Sequence, residues 1–244
     1  MTLLLAALLS VSSGFQAAPR TQYAVSTDGT RIAYDVTGSG PVVILLHGGG
    51  STRRSWHEAG YVSRLAAEFT VVTMDIRGNG ESGRPPLAAA FAPARLNQDV
   101  LAVANAVKAE RFVIWGFSYG ANVGRYLAAV SDRVRGMVYV GIPFGAAADG
   151  MFRERILGMA NRPAWLAALL DYPPVEPSHM RSPTLWLVGT ANESAYASAR
   201  SYQPKLAGTK VSLATIDGLT HSQEFERIDQ VFSKEVEFIR ALPR

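Results

Sequence analysis

The stretch "VIWGFSYGANVGRYLAA", residues 113–129, places Ser118 between Gly116 and Gly120 at the end of an apolar run. A serine hydroxyl bracketed by glycines, between a buried strand and an amphipathic helix, fits a nucleophile on a tight strand-to-helix turn. Glycines suit such a turn because close approach to neighbouring strands leaves no room for a Cβ. A serine is a weak nucleophile by itself, so a base must take its proton. His221, in "IDGLTHSQEF", follows the final apolar run and precedes the final helical pattern. Its imidazole titrates near neutrality and suits that role. His47, in "LLHGGG", is a second histidine that could act as base or could instead shape the glycine loop that follows it.

Positioning these groups requires alternating elements. "QYAVST" and "RIAYDVT" flank Asp28-Gly29, a hairpin signal. Beyond it, apolar runs at 41–47, 69–75, 111–116, 134–141, 182–189 and 210–217 read as strands, several buried on both faces. Helical patterns fall at 55–68, 93–110, 119–131, 193–206 and 222–241; in the second, Leu96, Val100, Val103 and Val107 share one face. Strands alternating with helices predict a mostly parallel α/β sheet with right-handed crossovers. Residues 142–181 interrupt the rhythm with two apolar helical pieces and several prolines, and are expected to form a short helical lid. Phe117, Tyr119, Phe144 and Trp165 suggest an apolar pocket near Ser118, although each could equally belong to the core.

The chain as a whole is similar to the α/β-hydrolase fold family across residues 22–241. "LLHGGG", "DIRGNGESG" (75–83), "GFSYG" and "GLTH" carry the resemblance, which with Trp56 points to the serine esterase and lactonase branch. It implies that backbone N–H groups of Gly49 and Tyr119 form an oxyanion hole, each donor being worth roughly 3 kcal/mol. It implies His221 as general base and an acid after the strand at 182–189. There the chain departs from the family pattern, because "PTLWLVGTANES" puts Asn192 where an Asp is expected. Glu193, Asn192 and Asp149 remain as alternatives. Glu193 is preferred, since an amide in this place selects the wrong imidazole tautomer and, in the serine-protease precedent, lowers the rate about 10⁴-fold.

Composition restricts what else is expected. With 244 residues, 48% hydrophobic and 18% charged, the chain fits one α/β domain over 21–244, with 142–181 inserted. The net charge of +4 is dispersed along the chain, so no nucleic-acid partner is expected. Without cysteine there is no disulfide or thiol nucleophile, and the four histidines lack metal-type spacing: His57-Glu58 begins H-E-x-x-H, but Tyr61 occupies the final position. No metal or cofactor is implied. The apolar start, 1–20, resembles a secretory signal peptide too short and interrupted to span a bilayer, so export to a secreted or periplasmic location without stable membrane insertion is expected; an unprocessed or disordered tail on a cytoplasmic protein is the alternative. The predicted function is hydrolysis of a small carboxylic ester, thioester or lactone through an acyl-enzyme on Ser118. A ligand-binding pseudo-hydrolase, and acyl transfer or perhydrolysis on the same fold, are the alternatives.

Overall fold

The computed structural model describes residues 20–243; the leader-like segment therefore lies almost wholly outside the described residues. Eight strands form one sheet in the order β1-β2-β4-β3-β5-β6-β7-β8. The hairpin over Asp28-Gly29 pairs β1 (Gln22–Val25) with β2 (Arg31–Thr37), and β2 runs antiparallel to β4 (Thr70–Met74). The other strands are parallel: β3 (Val42–Leu46), β5 (Phe112–Phe117), β6 (Val134–Val140), β7 (Thr184–Gly189) and β8 (Val211–Ile216). Their near-continuous apolar sequences follow from burial on both faces. Within β3, Val43 and Leu45 join one core cluster while Ile44 and Leu46 join the cluster on the opposite face. Period-two alternation thus feeds two cores at once.

Helices cover both faces: α1 (Arg54–Glu58), α2 (Tyr61–Leu65), α3 (Pro93–Ala106), α4 (Tyr119–Ala128), α7 (Glu193–Tyr202), α8 (Gln223–Glu226) and α9 (Ile228–Ala241). Two patterns read as single helices are broken. The 55–68 segment divides at Gly60, whose φ of 83° no helix accommodates. The 222–241 segment divides at Arg227, with ψ at 55°. Among the described residues no helix is long and apolar enough to cross a membrane.

Residues 142–181 leave the sheet after β6 and carry α5 (Gly150–Leu157) and α6 (Ala164–Ala168). Both ends of this excursion are tied together by reciprocal backbone bonds between Gly145 and Val175 (2.8 and 3.0 Å).

Strand order reverses direction between β3 and β5, so the loops after these strands diverge and leave a crevice at the carboxyl edge, the usual ligand position in open α/β sheets. The sequence closes this crevice from below with glycine. A Cβ on Gly120 would lie 2.0 Å from the Leu46 carbonyl oxygen, and one on Gly116 2.6 Å from the Ala121 nitrogen. Backbone on both sides leaves neither contact free to relax.

Such packing makes substitution at Gly120 costly. Gly120→Ala should destabilise the protein by about 3 kcal/mol, the upper range for overpacking a rigid site, read as a lowered denaturant midpoint. A second expectation concerns Glu235, fully buried on the core stripe of α9 with neither carboxyl oxygen in a well-formed hydrogen bond. Burial holds its carboxyl well above the usual range, opposed only by Trp115. A raised native pKa stabilises fully below the unfolded pKa and is lost as pH rises. Glu235→Gln should therefore be more stable than the parent at pH 8, with the gap closing towards pH 4.

Candidate active site

Ser118 sits at the junction of β5 and α4 with φ 53° and ψ −116°, a conformation that L-residues avoid. The turn is held by Ser118 N–H donating to the Val140 carbonyl (3.0 Å) and Asn122 N–H donating to the Ser118 carbonyl (3.0 Å). Its hydroxyl lies 3.0 Å from His221 Nε2. The two residues are 103 positions apart in sequence, so the fold, not local chain geometry, brings them together.

His221 is oriented from several sides. Its Nδ1 is 2.9 Å from the Gly141 carbonyl oxygen, an acceptor only, which places the proton on Nδ1 and leaves Nε2 free to accept from Ser118. The ring stacks on Phe117 (centroids 5.0 Å, 26° between planes), which in turn stacks on Phe225 (5.1 Å). Desolvation lowers the His221 pKa below 6.5, with the Gly141 bond opposing. The side chain nevertheless keeps 45% of its surface accessible, so a substrate can reach it.

The structure does not bring the other expected acids to the base. Glu193 is exposed as the first residue of α7, and its carboxylate makes no ion pair with His221 within 4 Å. The chain turns into the helix at Asn192, which sends the next side chain outward. Asp149 is exposed at the start of α5 and likewise unpaired with His221, though it lines the cavity described below. Asn192 does reach the site, its Nδ2 3.4 Å from His221 Nδ1.

A carboxylate missed in the sequence lies underneath. Glu224, three residues after His221 on α8, is fully buried, and Oε2 lies 3.7 Å from Nδ1. Gly189 N–H donates to Oε1 (2.5 Å), and Asn192 Nδ2 lies 3.1 and 3.0 Å from the two oxygens. Burial pushes this carboxyl up to about 7, with the Gly189 and Asn192 bonds pulling the other way. A glutamate in the first turn of a helix ordinarily faces solvent, so only its spacing from His221 offered a signal.

Gly49 and Tyr119 flank Ser118 around a cavity of about 470 Å³. The excursion over 142–181 supplies its apolar wall through Phe152, Met159, Trp165, Leu166 and Leu169. Trp165 packs over both flanking residues, 4.7 Å from the Tyr119 ring and so close to Gly49 that a Cβ there would stand 2.5 Å from the indole. Phe144, an expected lining residue, belongs to the core beside Tyr139 and Trp186.

His47, Asp75 and Arg77 shape the surrounding loops. His47 Nδ1 donates to the Gly48 carbonyl (2.8 Å) and Nε2 accepts from Ile76 N–H (3.0 Å), linking the loops after β3 and β4. Asp75 accepts from the Arg53 backbone (2.7 Å), the Arg53 guanidinium (2.5 Å) and Glu81 N–H (2.8 Å). Arg77 makes a two-pronged pair with Asp99 (2.6 and 2.5 Å).

Sequence and structure comparisons bear on the family and the fold. A family model described as alpha/beta hydrolase fold matches residues 41–170. An uncharacterized protein of Mycobacterium tuberculosis is 33% identical over 118 residues, which is 46% of this chain and 31% of that protein. A soluble epoxide hydrolase of Corynebacterium sp. is 27% identical over 162 residues, 62% of this chain and 54% of the relative. The chain thus aligns with about a third to a half of these relatives' length. Among solved structures, the esterase RhEst1 from Rhodococcus sp. ECU1013 superposes with a TM-score of 0.72 at 26% identity, covering 91% of this chain and 99% of that one. Epoxide hydrolase A from Mycobacterium thermoresistibile gives 0.76 at 17% identity, covering 93% and 99%, and so attests the fold alone. On these grounds the chain belongs to the α/β-hydrolase fold family.

Proposed function

We propose that this protein is a serine hydrolase acting on a small, largely apolar carboxylic ester, thioester or lactone. The observation that carries the proposal is the 3.0 Å contact between the Ser118 hydroxyl, on its strained turn, and His221 Nε2. In the first step Ser118 Oγ attacks the substrate carbonyl carbon while its proton passes to His221 Nε2. The negative oxygen that develops is held by the Gly49 and Tyr119 N–H groups. Collapse breaks the bond to the leaving alcohol or thiol, which takes the proton from His221, and an acyl-Ser118 ester remains. Water, deprotonated by His221, then attacks that ester and releases the acid and free Ser118. In a lactone the leaving hydroxyl stays attached to the acyl chain.

The alternative suggested by relatives named epoxide hydrolases is opposed by the residue at the turn. Attack by a carboxylate on an epoxide gives an ester, which water can cleave at its carbonyl. Attack by Ser118 would give an ether, which has no such carbonyl and would trap the enzyme. The substrate preference rests on the wall formed by Phe152, Trp165 and Leu166, whose apolar surface favours acyl chains over charged groups. Residues 142–181 act in this reading as a lid.

Ser118→Ala should lower kcat on p-nitrophenyl esters by about 10⁴-fold or more and abolish labelling by a fluorophosphonate. Labelling of the parent at another residue, or undiminished turnover by the variant, would refute the proposal. Parallel assays with epoxides, and with alcohol or peroxide acceptors, separate hydrolysis from the competing reactions. Trp165→Ala should weaken kcat/KM for medium-length acyl chains by roughly tenfold, the loss expected when part of an apolar wall is removed.

A further inference from the structure

Asn192 occupies the place after β7 where the family resemblance leads one to expect an acid, yet a carboxylate is present 3.0 Å from its amide. Three hydrogen-bond acceptors surround Asn192 Nδ2: the Gly141 carbonyl (3.0 Å) and both oxygens of Glu224 (3.1 and 3.0 Å). With the Glu224 carboxylate opposite, only an amide nitrogen suits that position, so the amide orientation is fixed by its neighbours. The same nitrogen, 3.4 Å from His221 Nδ1, cannot accept the Nδ1 proton, which goes to the Gly141 carbonyl. A peptide carbonyl sets the tautomer but carries no full charge to meet an imidazolium.

We propose that Glu224 is the positioning residue that balances the His221 imidazolium, the acid having moved from the loop after β7 to α8, with Asn192 retained as its clamp. This rests on the Ser118–His221 reading above. Gly189 N–H and Asn192 Nδ2 hold the oxygens of Glu224, but neither carries a charge for a carboxylate to balance. It is fully buried beneath the base, and among the described residues His221 is the one basic side chain within 4 Å of its carboxylate. The elements packed on it present Gly189 N–H and Asn192 from the loop after β7, and Gly141 from the loop after β6; a Cβ on Gly141 would stand 2.9 Å from Oε2. When Nε2 takes the Ser118 proton, the positive charge forms 3.7 Å from Oε2, and a small ring shift exchanges the Gly141 carbonyl for the carboxylate as partner of Nδ1–H. No neighbouring charge holds Glu224 ionised, and its carboxyl is pushed up to about 7 by burial. Below that pH it is neutral and gives the imidazolium no counter-charge, so kcat should fall as pH drops through about 7.

The test is the pH dependence of kcat and KM on a p-nitrophenyl ester for the parent, Glu224→Gln, Glu224→Asp and the exchanged pair Asn192→Asp/Glu224→Gln. Glu224→Gln should lose about 10²–10⁴-fold in kcat with KM within threefold, and its profile should lack the step near pH 7. Glu224→Asp should retain the step at reduced kcat. In the exchanged pair the carboxylate at 192 stands where Nδ2 now approaches Nδ1, and kcat should recover at least tenfold over Glu224→Gln. Thermal midpoints at pH 8 check that each variant is folded. Glu224→Gln retaining kcat within threefold, or an exchanged pair no better than it, overturns the inference. So does a comparable loss in Glu193→Gln with Glu224→Gln unaffected. If Glu224→Gln does not fold, the retained or absent step in Glu224→Asp decides. A Ser118→Ala variant with parental activity would instead refute the hydrolase reading itself, which keeps the two failures apart.

Discussion

The candidate site depends on one backbone contact, that of the first turn of α4 with the end of β3. Gly120 stands where a Cβ would be 2.0 Å from the Leu46 carbonyl oxygen, so helix and strand meet without a side chain between them. That approach forces the preceding turn into a positive φ at Ser118, which accepts the strain. Its hydroxyl is thereby lifted out of the sheet edge at the point where strand order reverses. The neighbouring loop after β3, fixed by the His47 bonds to Gly48 and Ile76, can then face the same cavity. Strain at the serine is tolerated because packing around it leaves no relaxed alternative.

His221 is positioned by opposite means. His221 sits in a loop, and rigidity is lent by what surrounds it: the Gly141 carbonyl on Nδ1, Phe117 against its face and Glu224 beneath. Phe225, one residue after Glu224, continues the aromatic stack to Trp56 and Tyr61, tying α8 to the core. The short helix therefore has two faces, one packed through Phe225 and one that sets Glu224 beneath His221. Two long-range contacts and one from the adjacent helix thus orient a loop residue.

Much of this is legible in the amino-acid sequence because it follows from short-range rules. Apolar runs bounded by glycine and proline mark the buried strands, and Asp28-Gly29 marks the hairpin. Ser118 is legible from its flanking glycines together with its place between strand and helix, and the separate parts of His221 and His47 from the family resemblance. Inferences that need the third dimension fail. Glu193 is adjacent to the expected acid position in sequence, but the helix that begins there turns it to solvent. Glu224 reads as an ordinary helical surface residue, and only the descent of α8 beneath His221 buries it. The helix breaks at Gly60 and Arg227 are hidden for a related reason, since periodicity continues across them while the backbone does not.

The central claim, a covalent acyl-enzyme on Ser118, is tested most directly by acid-quenching the protein during turnover of a slow ester and mapping the modified peptide by mass spectrometry. The account predicts the acyl group on Ser118, appearing within the first turnover and disappearing as substrate is exhausted. Turnover with Ser118 unmodified throughout, or with the acyl group on another side chain, would contradict it.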